Sequence, residues 1–223
     1  MAKSHGIPGE WARVKGSICG LWPLFIGIFA AGFSSAIMFG DVLWGGVFLV
    51  ASFVYCGWSL NKGLKRVERF FKGARGEEKV AGILRELPDA YHVFNDFPAS
   101  NMRIDHVVVG PSGIYAVETK FWRGEITIED GNLLVDGQFP DRSPILQVLK
   151  EASALKRELE KRGWKRNVTP ILVFASDTFT AKVAELSGVV VLNSSYIAES
   201  FNTSHVELQP IELDRLVRIM ENN

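Results

Sequence analysis

Charge is nearly missing from Gly16–Asn61, where Asp41 is the only charged residue. So polar-poor a stretch does not suit the surface of a water-soluble domain. Cysteine is scarce as well. Cys19 and Cys56 both lie in this apolar region, which excludes a disulfide framework and leaves neither thiol placed for nucleophilic work. The four histidines, His5, His92, His106 and His205, are scattered without zinc spacing. No GxxxxGK[ST] loop is present to cradle a nucleotide phosphate. Net charge is zero, so the molecule has no bulk electrostatic preference for nucleic acid. No internal repeat or low-complexity tract divides the chain.

What the first third does have is apolar length. Ile18 to about Phe39 and Val42 to about Leu60 are two runs, each near the ~20 residues that cross a bilayer. A cleaved signal peptide fits poorly, because a second run follows at once. Pro23 and the glycines are tolerated in membrane helices, and Gly27 and Ala31 would let two helices approach closely. A buried hairpin of a soluble protein is the alternative. Lys3, Arg13 and Lys15 precede the first run; Lys62, Lys65, Arg66, Arg69, Lys72 and Arg75 follow the second. By the positive-inside rule both ends face the cytoplasm, which predicts a two-span protein of the cell membrane. Cys19 and Cys56 then sit at similar depth, as packing residues or acylation sites. The basic run at 62–75 reads as a retention signal that touches anionic lipid, or as a nucleic-acid contact.

The expected organisation is a cytoplasmic segment (1–17), two spans (18–61), a basic linker (62–74), an α/β domain (75–175) and a C-terminal α/β extension (176–223). A helix is expected from about Gly76 to Leu87, with Val80, Ile83, Leu84 and Leu87 as its stripe and Pro88 as its stop. Tyr91–Phe97 reads as a strand. Glu125–Ile128 and Leu133–Val135 form a hairpin around Asp130-Gly131-Asn132. Ile145 to about Arg162 reads as a helix stopped by Gly163, and Val168–Phe174 as a central strand. A helix around Ala181–Leu186, a strand at Val189–Leu192, a helix near Tyr196–Phe201 and a closing helix at Ile211–Met220 complete the chain.

The informative stretch is Ile104–Lys120, two Val- and Ile-rich strands joined by Pro111-Ser112 between glycines. Such strands belong in a core, yet these carry Asp105, Glu118 and Lys120. Glu118 and Lys120 share a face. If Gly110 lies opposite Gly113, Asp105 lies opposite Glu118, and the three converge at the open end of the hairpin. Two carboxylates held close repel unless a cation sits between them, and oxygen ligands suit Mg²⁺ or Mn²⁺. His106 is expected to point away. A cross-strand salt bridge with Asp105 at a strand end is the plain alternative.

Asp105 followed by Glu118-x-Lys120 across a hairpin resembles the PD-(D/E)xK nuclease core. The surrounding pieces resemble one branch of it, the nuclease-related domain (NERD). They are Gly76-Glu77, Ile104-Asp105-His106, the Gly110–Gly113 turn, Glu118-Thr119-Lys120 with Trp122 and Gly124, and Pro144 with Gln147. The resemblance spans about residues 73–175. It implies a restriction-endonuclease-like mixed sheet flanked by helices, preceded here by the helical hairpin. It also implies metal-dependent hydrolysis of a phosphodiester in DNA, or in RNA. Asp105 and Glu118 would hold the ion with the Thr119 carbonyl, Lys120 would act on the water or the phosphate, and Gln147 would orient substrate or ligand. Glu77 would complete the metal shell, or would be an acidic residue placed at a helix N-terminus by the dipole. Related recombination nucleases carry a tyrosine one turn after this glutamine; here that position is Glu151, so the longer motif is incomplete. A domain that has lost the chemistry and binds nucleic acid or a protein partner is the alternative function. The basic cluster Lys156, Arg157, Lys161, Arg162, Lys165 and Arg166, interleaved with Glu158 and Glu160, reads as a solvated helix face or as a phosphate track. Oligomeric state is not set by the sequence.

Overall fold

The computed structural model describes residues 1–176, 178, 179, 181–201 and 208–222. His205 and part of the expected extension at 176–223 lie outside the described residues. By its internal packing the chain divides into two units, residues 10–74 and residues 1–9 with 75–223.

In the first unit, α1 (Glu10–Met38) is followed by the opening part of α2 (Val42–Arg85). Both helices are long and apolar enough to cross a membrane, and their large side chains, Phe29, Phe53 and Val54 among them, are exposed. Asp41, the lone charge of the run, caps α2: its Oδ1 accepts the N–H groups of Leu43 at 3.0 Å and Trp44 at 3.1 Å. Close packing between the helices depends on glycine. A Cβ on Gly27 would lie 2.5 Å from Cys56 Sγ. Lys15 Nζ sits 4.1 Å from the Trp11 ring centroid, and Lys62 Nζ 3.7 Å from that of Trp58.

The second unit is a mixed seven-stranded sheet flanked by helices, the α/β architecture expected. Its strands are β1 (Lys3–His5), β2 (His92–Ala99), β3 (Met102–Gly110), β4 (Gly113–Lys120), β7 (Thr169–Phe174), β8 (Val183–Leu186) and β9 (Val189–Asn193). They run in the order β1-β2-β3-β4-β7-β9-β8. A separate hairpin, β5 (Ile126–Glu129) and β6 (Asn132–Val135), turns at Asp130 and Gly131, both at positive φ. Helix α3 (Pro144–Lys161) lies on the path from β4 to its parallel partner β7. The chain closes with a 3-10 turn (Ser194–Tyr196), α4 (Ile197–Ser200) and α5 (Pro210–Glu221). Val80, Leu84 and Leu87 of α2 pack against Val93, Val108, Tyr115, Val117 and Val173. On the other cluster, Leu155 and Leu159 of α3 and Leu216 of α5 cover Val107, Val109, Ile114 and Ala116. Alternating strand residues therefore supply two apolar layers.

Three differences from the expected elements have physical causes. The helix expected at Gly76 begins at Val42, so residues 62–74 are helical and Glu77 lies well inside a helix. Gly76 is a packing position rather than a helix start: a Cβ there would stand 2.9 Å from Phe121 Cβ. The helix expected at Ala181–Leu186 is strand β8, paired antiparallel with β9 through Ser187-Gly188, both at positive φ. Such a pair is hairpin chemistry, and it overrides the local helical pattern. Finally, Lys3–His5 is an edge strand parallel to β2, pinned by Asn95, whose Nδ2 donates to Ser4 Oγ and His5 O at 3.0 Å each.

Candidate active site

The β3–β4 hairpin has Gly110 opposite Gly113, and its paired ladder ends at His106 opposite Val117. One step further on, Asp105 stands opposite Glu118. There the strands part, and the Asp105 carboxylate takes the place of a backbone acceptor: Thr119 N–H donates to Asp105 Oδ2 at 2.8 Å. In an extended strand a residue's N–H and C=O point to the same edge, so the Thr119 carbonyl also faces the Asp105 side.

Beyond the ladder a polar network crosses to α3. Lys120 Nζ donates to Glu118 Oε1 and, at 2.9 Å, to Gln147 Oε1. Gln147 Nε2 donates to Glu118 Oε1 at 2.7 Å and to Glu151 Oε1 at 2.9 Å. One amide thus links the lysine to two carboxyls. Glu118 and Glu151 are 3% and 2% exposed, so the network is inside the protein. Their Oε2 atoms are buried and meet no hydrogen-bond donor, and Thr119 Oγ1 is also without a partner.

The cluster is short of positive charge. Burial raises the Asp105 carboxyl well above its ordinary range, Glu118 and Glu77 push it further, and the Thr119 N–H opposes them. Glu77 is raised to about 7 by burial and then by Asp96 and Glu118, although Gly9 N–H donates to it. Burial and Glu118 lift Glu151 to about 9. Burial works against the Lys120 ammonium, but Glu118, Asp105 and Glu151 outweigh it and hold its pKa above the ordinary value.

Residues 72–175 match the family model of the nuclease-related domain. No curated protein and no solved structure matches the chain. The matched stretch takes in Glu77, Asp105, Glu118, Thr119, Lys120 and Gln147. The matched stretch thus gathers side chains from α2, β3, β4 and α3 at the open end of one hairpin. Its donors are all oxygens, which suits a hard divalent ion, and the unpartnered Glu118 Oε2 and the mutual repulsion of Asp105, Glu118 and Glu77 fit such a charge. Among the described residues, no three His, Cys, Asp or Glu side chains stand as a ready ligand set; Glu118 Oε1 is turned to Lys120 and Gln147.

His106 packs away from this site. Its Nδ1 lies 2.9 Å from Asn95 Oδ1, and burial lowers its pKa to about 3. The basic cluster of the α3 end is largely satisfied by neighbouring side chains: Arg166 meets Glu212 at 2.8 Å, Lys161 and Arg162 meet Glu158, and Lys156 meets Asn167.

Three groups are not among the expected site residues, though Glu151 marks the departure from the longer motif. Glu151 falls among Val148, Ala152 and Leu155 on the buried stripe of α3, and a charged residue inside an apolar stripe was the available signal. Asp96 adopts φ 53° opposite Asp105 and pairs with Arg103 at 3.2 Å; no local pattern announces it. Gly9 arrives from far upstream in sequence, a long-range contact invisible to motif spacing.

Proposed function

We propose that this protein is a membrane-anchored nuclease-like enzyme that hydrolyses a phosphodiester in DNA, or in RNA, on the cytoplasmic side, using Mg²⁺ or Mn²⁺. The observation that carries the reading is the convergence of Asp105, Glu118 and Lys120 at the splayed end of one hairpin, within the stretch that matches the nuclease-related domain. Asp105, Glu118, the Thr119 carbonyl and Glu77 would hold the divalent ion. When bound, the ion supplies Lewis-acid activation of water and charge neutralisation at the phosphate. Lys120, held protonated by its carboxylate neighbours, serves to orient the water or to steady negative charge that develops on the phosphate. Gln147 fixes the lysine through its Oε1 and the carboxyls through its Nε2. A buried network of this kind keeps its members within the narrow geometry that catalysis needs.

Two further observations support the membrane reading. Trp11–Lys15 precedes the first apolar run and Trp58–Lys62 closes the second, inside α2, and such pairs suit the lipid–water interface. Residues 1–9 and 75–223 form one packed unit, so a chain leaving that unit through α1 and returning through α2 crosses the bilayer an even number of times. The basic residues at 62–75 then favour the cytoplasm for both ends.

The test uses the full-length protein in nanodiscs with linear and supercoiled DNA and RNA. Cleavage with Mg²⁺ or Mn²⁺ and none with EDTA is expected, and Asp105→Ala and Lys120→Ala should each remove it. A second reading is a binding module without turnover. It is favoured by the engagement of Glu118 Oε1 with Lys120 and Gln147. A folded wild type that binds nucleic acid and cuts nothing in either metal would establish it.

A further inference from the structure

Glu151 sits one helical turn after Gln147, on the face of α3 that covers the sheet. Its surroundings on α3 are apolar, and a lone buried carboxyl there is costly. One oxygen accepts from Gln147 Nε2 at 2.9 Å; the other is buried and meets no donor. Glu118, across the sheet–helix interface, has the same pattern: Oε1 engaged by Lys120 and Gln147, Oε2 buried and unpartnered. Gln147 donates from one nitrogen to both carboxyls, so it holds the pair side by side, close enough for the two acids to share a hydrogen bond that a cation would replace. The groups facing this pair are Lys120 and Gln147, with Asp105 beyond Glu118; Lys120 is the one cation among them.

A structural role alone does not account for this choice of residue. Glutamine or an aliphatic side chain would fill the volume without placing a second acid against Glu118. What a carboxyl adds is an oxygen ligand.

We propose that Glu151 is a further ligand of the divalent cation, sharing it with Glu118, so that the metal shell extends from the hairpin onto α3. This rests on the metal-dependent reading above. Gln147 is then the positioning residue that presents the two carboxyls together.

The experiment titrates Mn²⁺ into the full-length protein in nanodiscs, reading free Mn²⁺ by electron paramagnetic resonance and thermal unfolding in parallel. Wild type, Glu118→Gln, Glu151→Gln and Glu151→Asp are compared. Glu151→Gln is expected to weaken Mn²⁺ binding at least about tenfold. In EDTA it should raise Tm, because the buried acid–acid contact is gone, while the Tm gain on adding Mn²⁺ shrinks. Glu151→Asp, which keeps the charge, should bind Mn²⁺ more tightly than Glu151→Gln. Wild-type affinity in Glu151→Gln, alongside loss in Glu118→Gln, overturns this proposal and leaves the metal-dependent reading standing. Equal affinity in Glu151→Gln and Glu151→Asp overturns it too, as does a lowered Tm for Glu151→Gln in EDTA. A wild type that binds no Mn²⁺ overturns both readings.

Discussion

Thr119 N–H reaches Asp105 Oδ2 at 2.8 Å where the β3–β4 ladder stops. A carboxylate stands where a strand carbonyl would otherwise accept, and this ties the candidate metal-binding acid to the backbone of the strand that carries Glu118 and Lys120. Asp105→Asn keeps an acceptor for that N–H and removes a charge repelled by Glu118 and Glu77. The expected result is equal or higher Tm in EDTA with cleavage reduced by about 100-fold or more. Nuclease assays and melting curves on the same preparation check both halves.

Lys120 and Glu118 should be strongly coupled. Removing the ammonium leaves a buried carboxylate without its ion partner, which costs about 3 kcal/mol. Lys120→Met is therefore expected to lower stability, and Lys120→Met with Glu118→Gln to recover much of the loss. A double-mutant cycle by chemical denaturation measures the coupling; additive effects would contradict the buried contact.

The metal-free protein should lose stability as pH rises. Glu77 at about 7 and Glu151 at about 9 hold protons in the folded state that an unfolded chain releases near 4.5. The folded state binds more protons across that window, so its stability falls as pH climbs. His106 acts in the opposite sense: at about 3 folded and 6.5 unfolded, its contribution is present above 6.5 and is lost on acidification toward 3. Above pH 6.5 the carboxyls alone govern, and Tm in EDTA should decline from pH 6.5 to pH 9. Saturating Mn²⁺ should flatten or reverse that slope, since the ion replaces the protons.

Gly76→Ala should destabilise the domain by about 1–3 kcal/mol. The added methyl would stand 2.9 Å from Phe121 Cβ, an atom too near the backbone to move aside cheaply. A denaturation midpoint unchanged by this substitution would mean that α2 shifts freely past the segment after β4.

Much of this arrangement can be read from local chemistry. The turn at Asp130-Gly131 and the Gly163 stop carry residue types that their backbone conformations demand. The hairpin register follows from paired glycines, and with it the meeting of Asp105 and Glu118. What escaped was set by distance or by competition. A helix continuous from Val42 to Arg85 contains glycines and a change from apolar to charged composition, which locally mimic an end and a new start. Ala181–Leu186 has a helix-like apolar pattern, but pairing with β9 decides its state. The strand Lys3–His5 is too short to signal itself, and its partner lies far along the chain.

That short strand also constrains how the protein is made. Lys3–His5 leaves the ribosome well before β2, and it cannot pair with β2 until the intervening helices and the start of the domain have been synthesised. If only one of the two apolar helices were inserted across the lipid, the strand and its partner would be stranded in different compartments, and the sheet would lack its edge. For the proposed membrane-anchored protein, a chain threaded the wrong way should therefore present an open β2 border.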